Sequence, residues 1–169
     1  VLRDGTFEQH VAALAARLRV RPSDLLAVMR FESNLRPDAI NPTTHAVGVI
    51  QFLPHTAADL LGLPPGLPGR ERRAVEAFAA MSADEQLDYV EMYFERVLGG
   101  HGSANLRDTY MAVLYPNAVG RGDGYAIAHV DGVGAFERAV YRQNAALDAN
   151  GDGTITAGEA TARVAGVRG

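Results

Sequence analysis

Cysteine is absent from this sequence. That excludes disulfides and thiolate metal sites, and it leaves the redox compartment open. Lysine is absent too, so every Lys/Arg-type charge is an arginine. We read this as codon bias, because the arginines form no cluster suited to phosphate. A positive excess is also lacking: the net charge is −4 and the isoelectric point about 5.7. A nucleic-acid binder would carry a basic stripe, so no nucleic-acid partner is expected. No apolar run approaches the roughly 20 residues of a membrane-spanning helix. No signal peptide is visible, although the sequence opens with Val1 rather than methionine, as a trimmed chain would.

What is present fits a soluble globular chain: 47% apolar and 21% charged residues over 169 positions. That length suggests one domain with room for a small appendage, and it can bury roughly 70% of its unfolded surface. Helical periodicity dominates. Thr6 and Gln9 make a capping-box pattern ahead of Phe7, Val11, Leu14 and Leu18 on one face. Pro22 suits the first turn of a helix ending near Glu32. From Leu35 to Phe52 the helical period fails, and two prolines, polar turn residues and a glycine predict an irregular segment with a short hairpin. Further helices are expected over residues 54–61, 70–80, 83–98 (opened by a Ser82/Glu85 capping box and stopped by Gly99 and Gly100), 106–114 and 135–144.

One residue violates this pattern. Leu25, Val28, Met29 and Glu32 recur at i, i+3, i+4 and i+7, which places a carboxylate on an apolar helical face. Burying an unpaired charge is costly. Such a carboxyl has its charged form disfavoured and can hold a proton at neutral pH, as a general acid must when it protonates a glycosidic oxygen. A glutamate paired with an arginine or capping a backbone group is the structural alternative on this helix alone.

The residues that follow, "ESNLRPDAINPTTHAVGVIQFLPHTA", contain Glu32, Ser33, Pro37, Ala39, Gly48, Gln51, Pro54, Thr56 and Ala57 in an order and spacing that resembles the soluble lytic transglycosylase and goose-type lysozyme group. The resemblance spans about residues 22–61. The stretches "QLDYVEMYF" and "YMAVLYPNAVG" are similar to phage- and virion-associated members. The resemblance implies an all-α, lysozyme-like fold with a minor irregular or β lobe. It implies Glu32 as the catalytic acid, Gln51 as a hydrogen-bonding partner of the sugar, Ser33 near the scissile bond, and Gly48 where backbone approaches the glycan. Val49 and Ile50 replace the Leu-Met of the group's motif. The later Ala-Tyr-Asn motif has "LYPN" as its counterpart, with Pro116 in place of asparagine, so Tyr115 is the implied tyrosine and Tyr110 its rival.

Most glycosidases use two flanking acids. No second Asp or Glu falls in the matched motif; Asp38, Asp59, Glu71 and Glu76 read as solvated or capping residues. A single-acid route is therefore expected, with Glu32 donating a proton and then accepting one from an incoming hydroxyl. A hydroxyl of the same sugar gives a 1,6-anhydro product, whereas water gives a reducing end. His45 and His55 flank Gln51 and are candidates to line the groove.

A second motif lies near the end. "DANGDGTITAGE" fits the twelve-residue EF-hand loop, with Asp148, Asn150, Asp152, the Thr154 carbonyl, Thr156 and Glu159 at the ligand positions and Gly153 at the sharp turn. An all-oxygen set selects a hard cation, so structural calcium is expected. A single loop with a short exit helix does not suit a sensor, which works through paired hands.

The sequence thus predicts a lysozyme-like domain over residues 1–145 and a calcium loop with a short helix, 146–169, packed on it. Peptidoglycan strands are the expected partner, at the bacterial wall or periplasm, reached from a virion, a phage lysis system, a secretion assembly or by secretion. The rival reading is a calcium-stabilised module that binds cell-wall glycan without cutting it.

Overall fold

The computed structural model describes residues 5–167; residues 1–4 and 168–169, which fall in the two expected units, lie outside the described residues. Helix α1 (Phe7–Leu18) begins with the Thr6/Gln9 capping box. Helix α2 (Pro22–Ser33) has proline in its first turn and stops at Asn34, whose left-handed backbone (φ 53°) breaks the helix. Residues 35–53 form the lobe. Helices α3 (Pro54–Leu60), α4 (Arg70–Ala79), α5 (Ala83–Leu98) and α6 (Leu106–Leu114) follow. A 3₁₀ turn (Pro116–Ala118), strand β1 (Ala126–His129), α7 (Ala135–Asn144), a 3₁₀ turn (Ala145–Leu147), β2 (Thr154–Thr156) and α8 (Ala157–Ala165) complete the chain. The fold is mostly helical with one small sheet.

The lobe differs from the expected hairpin. It contains only two isolated antiparallel bridges, Ile40 to Val47 and Val47 to Phe52. Positive φ at Leu35, His45, Gly48 and Gln51 bends the chain too often for a ladder to propagate. Strand β1 was not legible in the glycine-rich sequence before it. It pairs antiparallel with β2, inside the calcium-type loop, with a bulge between Ala126 and Ala128.

Among the described residues, two apolar clusters make the core. The first joins α1, α3, α4 and α5 to the lobe, through residues such as Leu14, Ile50, Phe52, Phe78 and Phe94. The second joins α6, β1, β2 and α8, through Tyr110, Met111, Ile127, Ile155 and Val164. Helix α2 serves both: Leu25 and Met29 enter the first cluster, Ala27 and Val28 the second. Leu25, Val28 and Met29 are each fully buried, which stabilises the fold by about 2 kcal/mol apiece. Glu32, one turn beyond Val28 and Met29, therefore emerges where the two clusters meet.

Candidate active site

Glu32 is half-buried at the last turn of α2. Burial alone pushes its carboxyl up to about 7 from an ordinary value of 4.5. The side chain keeps partial access to solvent, and its carboxyl oxygens are not among the buried, unpartnered ones; the mass of protein around the group is what disfavours its charge. Near neutrality the group divides between the acid and the carboxylate. Both forms are needed by a residue that first gives and then takes a proton.

Three residues fix the lobe beside it. The Ser33 hydroxyl lies within donating distance of Met29 O (3.2 Å) and Val49 O (3.1 Å), tying the end of α2 to the lobe. Gly48 has φ 86°, and a Cβ there would lie 2.4 Å from Gln86 Oε1. The close neighbour on its Cβ side is the Gln86 amide. Gln51, also left-handed at φ 56°, donates Nε2 to Ala39 O (3.1 Å) and Gly48 O (3.0 Å). Its side-chain carbonyl is the group left to meet a ligand. Val49 and Ile50 are buried.

Of the two candidate tyrosines, Tyr110 lies within reach of the Glu32 charge. It is 2% exposed, and its ring packs edge-on against Phe31 at 5.6 Å. Burial raises its phenol far above the usual range, and Glu32 raises it further. The hydroxyl therefore stays protonated as a donor. Tyr115 ends α6 with φ −153° and packs on the second cluster.

Three of the other candidate acids are paired with arginines. Asp38 pairs with Arg36, Asp59 with Arg70, and Glu76 with Arg72. Glu71, Glu76 and His45 border a cavity of about 380 Å³ beside α4. His55 is exposed on α3, near Asp59. A smaller cavity, about 50 Å³, lies between the lobe and α6, lined by Gln51, Thr56, Tyr93 and Val113 among others. Glu32 is not among the residues lining these cavities.

The 148–159 loop has the turns of its motif. Asp148 accepts from the Gly151 and Gly153 N–H groups and from the Tyr141 hydroxyl at 2.7 Å. These bonds, the tyrosine's first, hold its carboxyl below the usual range. Asn150 and Asp152 each accept from the backbone two residues on, and Gly153 has φ 83°. Among the described residues, no group of three His, Asp or Glu side chains is arranged to hold a metal. Glu159 instead caps α8, its Oε2 accepting from Thr156 N and Oγ1. Its Oε1 is buried with no hydrogen-bond partner.

Sequence reasoning missed Gln86. Its side chain is fully buried at the start of α5. The amide donates to Pro37 O and Phe78 O and accepts from Val49 N, each at 2.8 Å. The signal was available: Gln86 shares a stripe with Val90 and Phe94 at helical spacing, a polar residue in an apolar row.

Residues 9–73 match the family model described as "Transglycosylase SLT domain". The match includes Glu32, Ser33, Gly48 and Gln51 and ends before Gln86 and Tyr110. The matched segment, less than half of the chain, is similar to that domain family. No curated protein and no solved structure matches the chain significantly. No helix among the described residues is long and apolar enough to cross a membrane.

Proposed function

We propose that this protein cleaves the glycan strand of peptidoglycan, with Glu32 as the single general acid and base. The observation that carries the reading is the raised pKa of Glu32, about 7, on a carboxyl that burial alone perturbs. In the first step Glu32 donates its proton to the glycosidic oxygen, and the bond from that oxygen to the anomeric carbon breaks. In the second, the Glu32 carboxylate takes a proton from an incoming hydroxyl, whose oxygen bonds to the anomeric carbon. Tyr110 would donate to a developing negative charge, and the Gln51 carbonyl would accept from a sugar hydroxyl. The family match over 9–73 supports peptidoglycan as the substrate class. The similarity of residues 86–94 and 110–120 to virion-associated members supports delivery from a phage particle.

The test is mass spectrometry of fragments released from purified cell walls. Anhydro ends identify transfer to the sugar's own hydroxyl, and reducing ends identify hydrolysis. Either product, lost in Glu32→Gln, supports the proposal. Walls that bind the protein but release no fragments overturn it in favour of a binding module.

Calcium at the 148–159 loop is a separate part of this reading. Asp148, Asn150, Asp152, the Thr154 carbonyl and Glu159 would hold it, and the ion would supply only rigidity. The donor set and the orphaned Glu159 Oε1 support it. Bidentate ligation would compete with the Thr156 cap for Oε2.

A further inference from the structure

We infer that Gln86 is a positioning residue that sets the lobe in register with Glu32. A primary amide offers two N–H donors and a carbonyl acceptor. In Gln86 both N–H groups and the carbonyl are used, and every partner is backbone. Pro37 and Val49 lie toward opposite ends of the lobe, and Phe78 belongs to α4. One side chain from α5 therefore clamps both ends of the lobe onto the helical body.

The clamp leads to Glu32 through a single residue, Val49. Gln86 holds the Val49 N–H, and the Ser33 hydroxyl reaches the Val49 carbonyl, one residue from the acid. Gln51 fastens itself to the same turn through the Gly48 carbonyl. The missing side chain at Gly48 is required by the position of the Gln86 oxygen. A shift of the 48–51 turn would change where the Gln51 carbonyl lies relative to the acid without removing either group. Misplacement of that kind costs rate because binding and reaction geometry no longer coincide.

The rate part of this inference rests on the proposed glycan cleavage; the clamp itself does not. The experiment compares the full chain with Gln86→Met, which keeps the bulk and removes the bonds, and Gln86→Glu, which can donate only when protonated. Hydrogen exchange reads the clamp directly. In Gln86→Met the Val49 amide is expected to exchange at least 100-fold faster while Leu14 and Phe94 in the core keep their protection. Kinetics on soluble glycan strands, below each variant's melting temperature, are expected to show kcat at least tenfold lower with KM changed less than threefold. Gln86→Glu is expected to recover part of that loss at acid pH, relative to the parent at the same pH. An unchanged Val49 amide overturns the clamp. A loosened turn with kcat within twofold of the parent overturns the positioning role. If Gln86→Met does not fold, Gln86→Asn, whose amide is one methylene too short for these partners, carries both readouts: a Val49 amide exchanging at least 100-fold faster than in the parent supports the clamp, and an unchanged one overturns it. A parent that cleaves no glycan defeats the catalytic reading alone, since the exchange result still decides the clamp.

Discussion

The Ser33 hydroxyl and the Val49 carbonyl oxygen meet at 3.1 Å, so the residue after the candidate acid reaches across to the lobe. The same hydroxyl is 3.2 Å from Met29 O, within its own helix. Having one proton, it donates to one of them at a time. Ser33→Ala removes this link. It should lower stability by about 1 kcal/mol, the usual net worth of one hydrogen bond, or roughly 3 °C in melting temperature. Wall clearing should fall more than that loss of stability explains, about threefold to tenfold. A calorimetric scan beside a turbidity assay checks both.

Glu32 makes function and stability oppose each other. Its folded-state pKa of about 7 exceeds the ordinary 4.5, so the native state holds the proton more tightly than the unfolded chain. The associated stability is fully present below about pH 4.5 and is lost as pH rises through about 7. Glu32→Gln, which cannot ionise, should match the parent's melting temperature near pH 4 and exceed it at pH 8. The shift corresponds to at most about 3 kcal/mol. Activity should fall at least 100-fold at every pH. A variant less stable than the parent at pH 8 would show that the carboxylate is paired rather than desolvated.

Tyr110→Phe keeps the ring that packs on Phe31 and deletes the hydroxyl. It should fold normally and lower kcat about tenfold, a modest loss beside that of removing a preorganised donor from an oxyanion site. Tyr115→Phe should change kcat by less than twofold. The reverse ranking in steady-state kinetics would return the role to Tyr115.

For the 148–159 loop, a ligand of the folded state must raise its melting temperature. Millimolar calcium should raise it by several degrees, and chelator should reverse the change. Glu159→Ala should abolish the response and lower the calcium-free melting temperature as well, because the α8 capping box goes with it. A transition that ignores both calcium and chelator would refute metal binding.

The helices were legible because caps and periodicity agree in them. Thr6 with Gln9, and Ser82 with Glu85, form the capping boxes that the sequence spells out. Glu32 was legible as an exception to such periodicity. Gln86 carried the same kind of signal on α5 but belonged to no recognised motif. The lobe's shape was not legible, because it depends on left-handed backbone at residues such as Leu35, His45 and Gln51, which are not glycines. Long-range bonds from Ser33 and Gln86 supply what local preference there does not. Strand β1 was hidden for a related reason. Its partner β2 lies inside a loop read for its metal ligands, and the pairing was invisible at that sequence distance.

The most direct measurement is the titration of the Glu32 carboxyl itself. Selective carbon-13 labelling of glutamate side chains, with the Glu32 resonance identified by its loss in Glu32→Gln, follows that single group by NMR. A midpoint near pH 7, matched by a loss of wall-clearing rate over the same interval as pH rises, is the expected result. A midpoint near 4.5 would mean that the group is an ordinary solvated carboxylate, unable to serve as the acid at neutral pH.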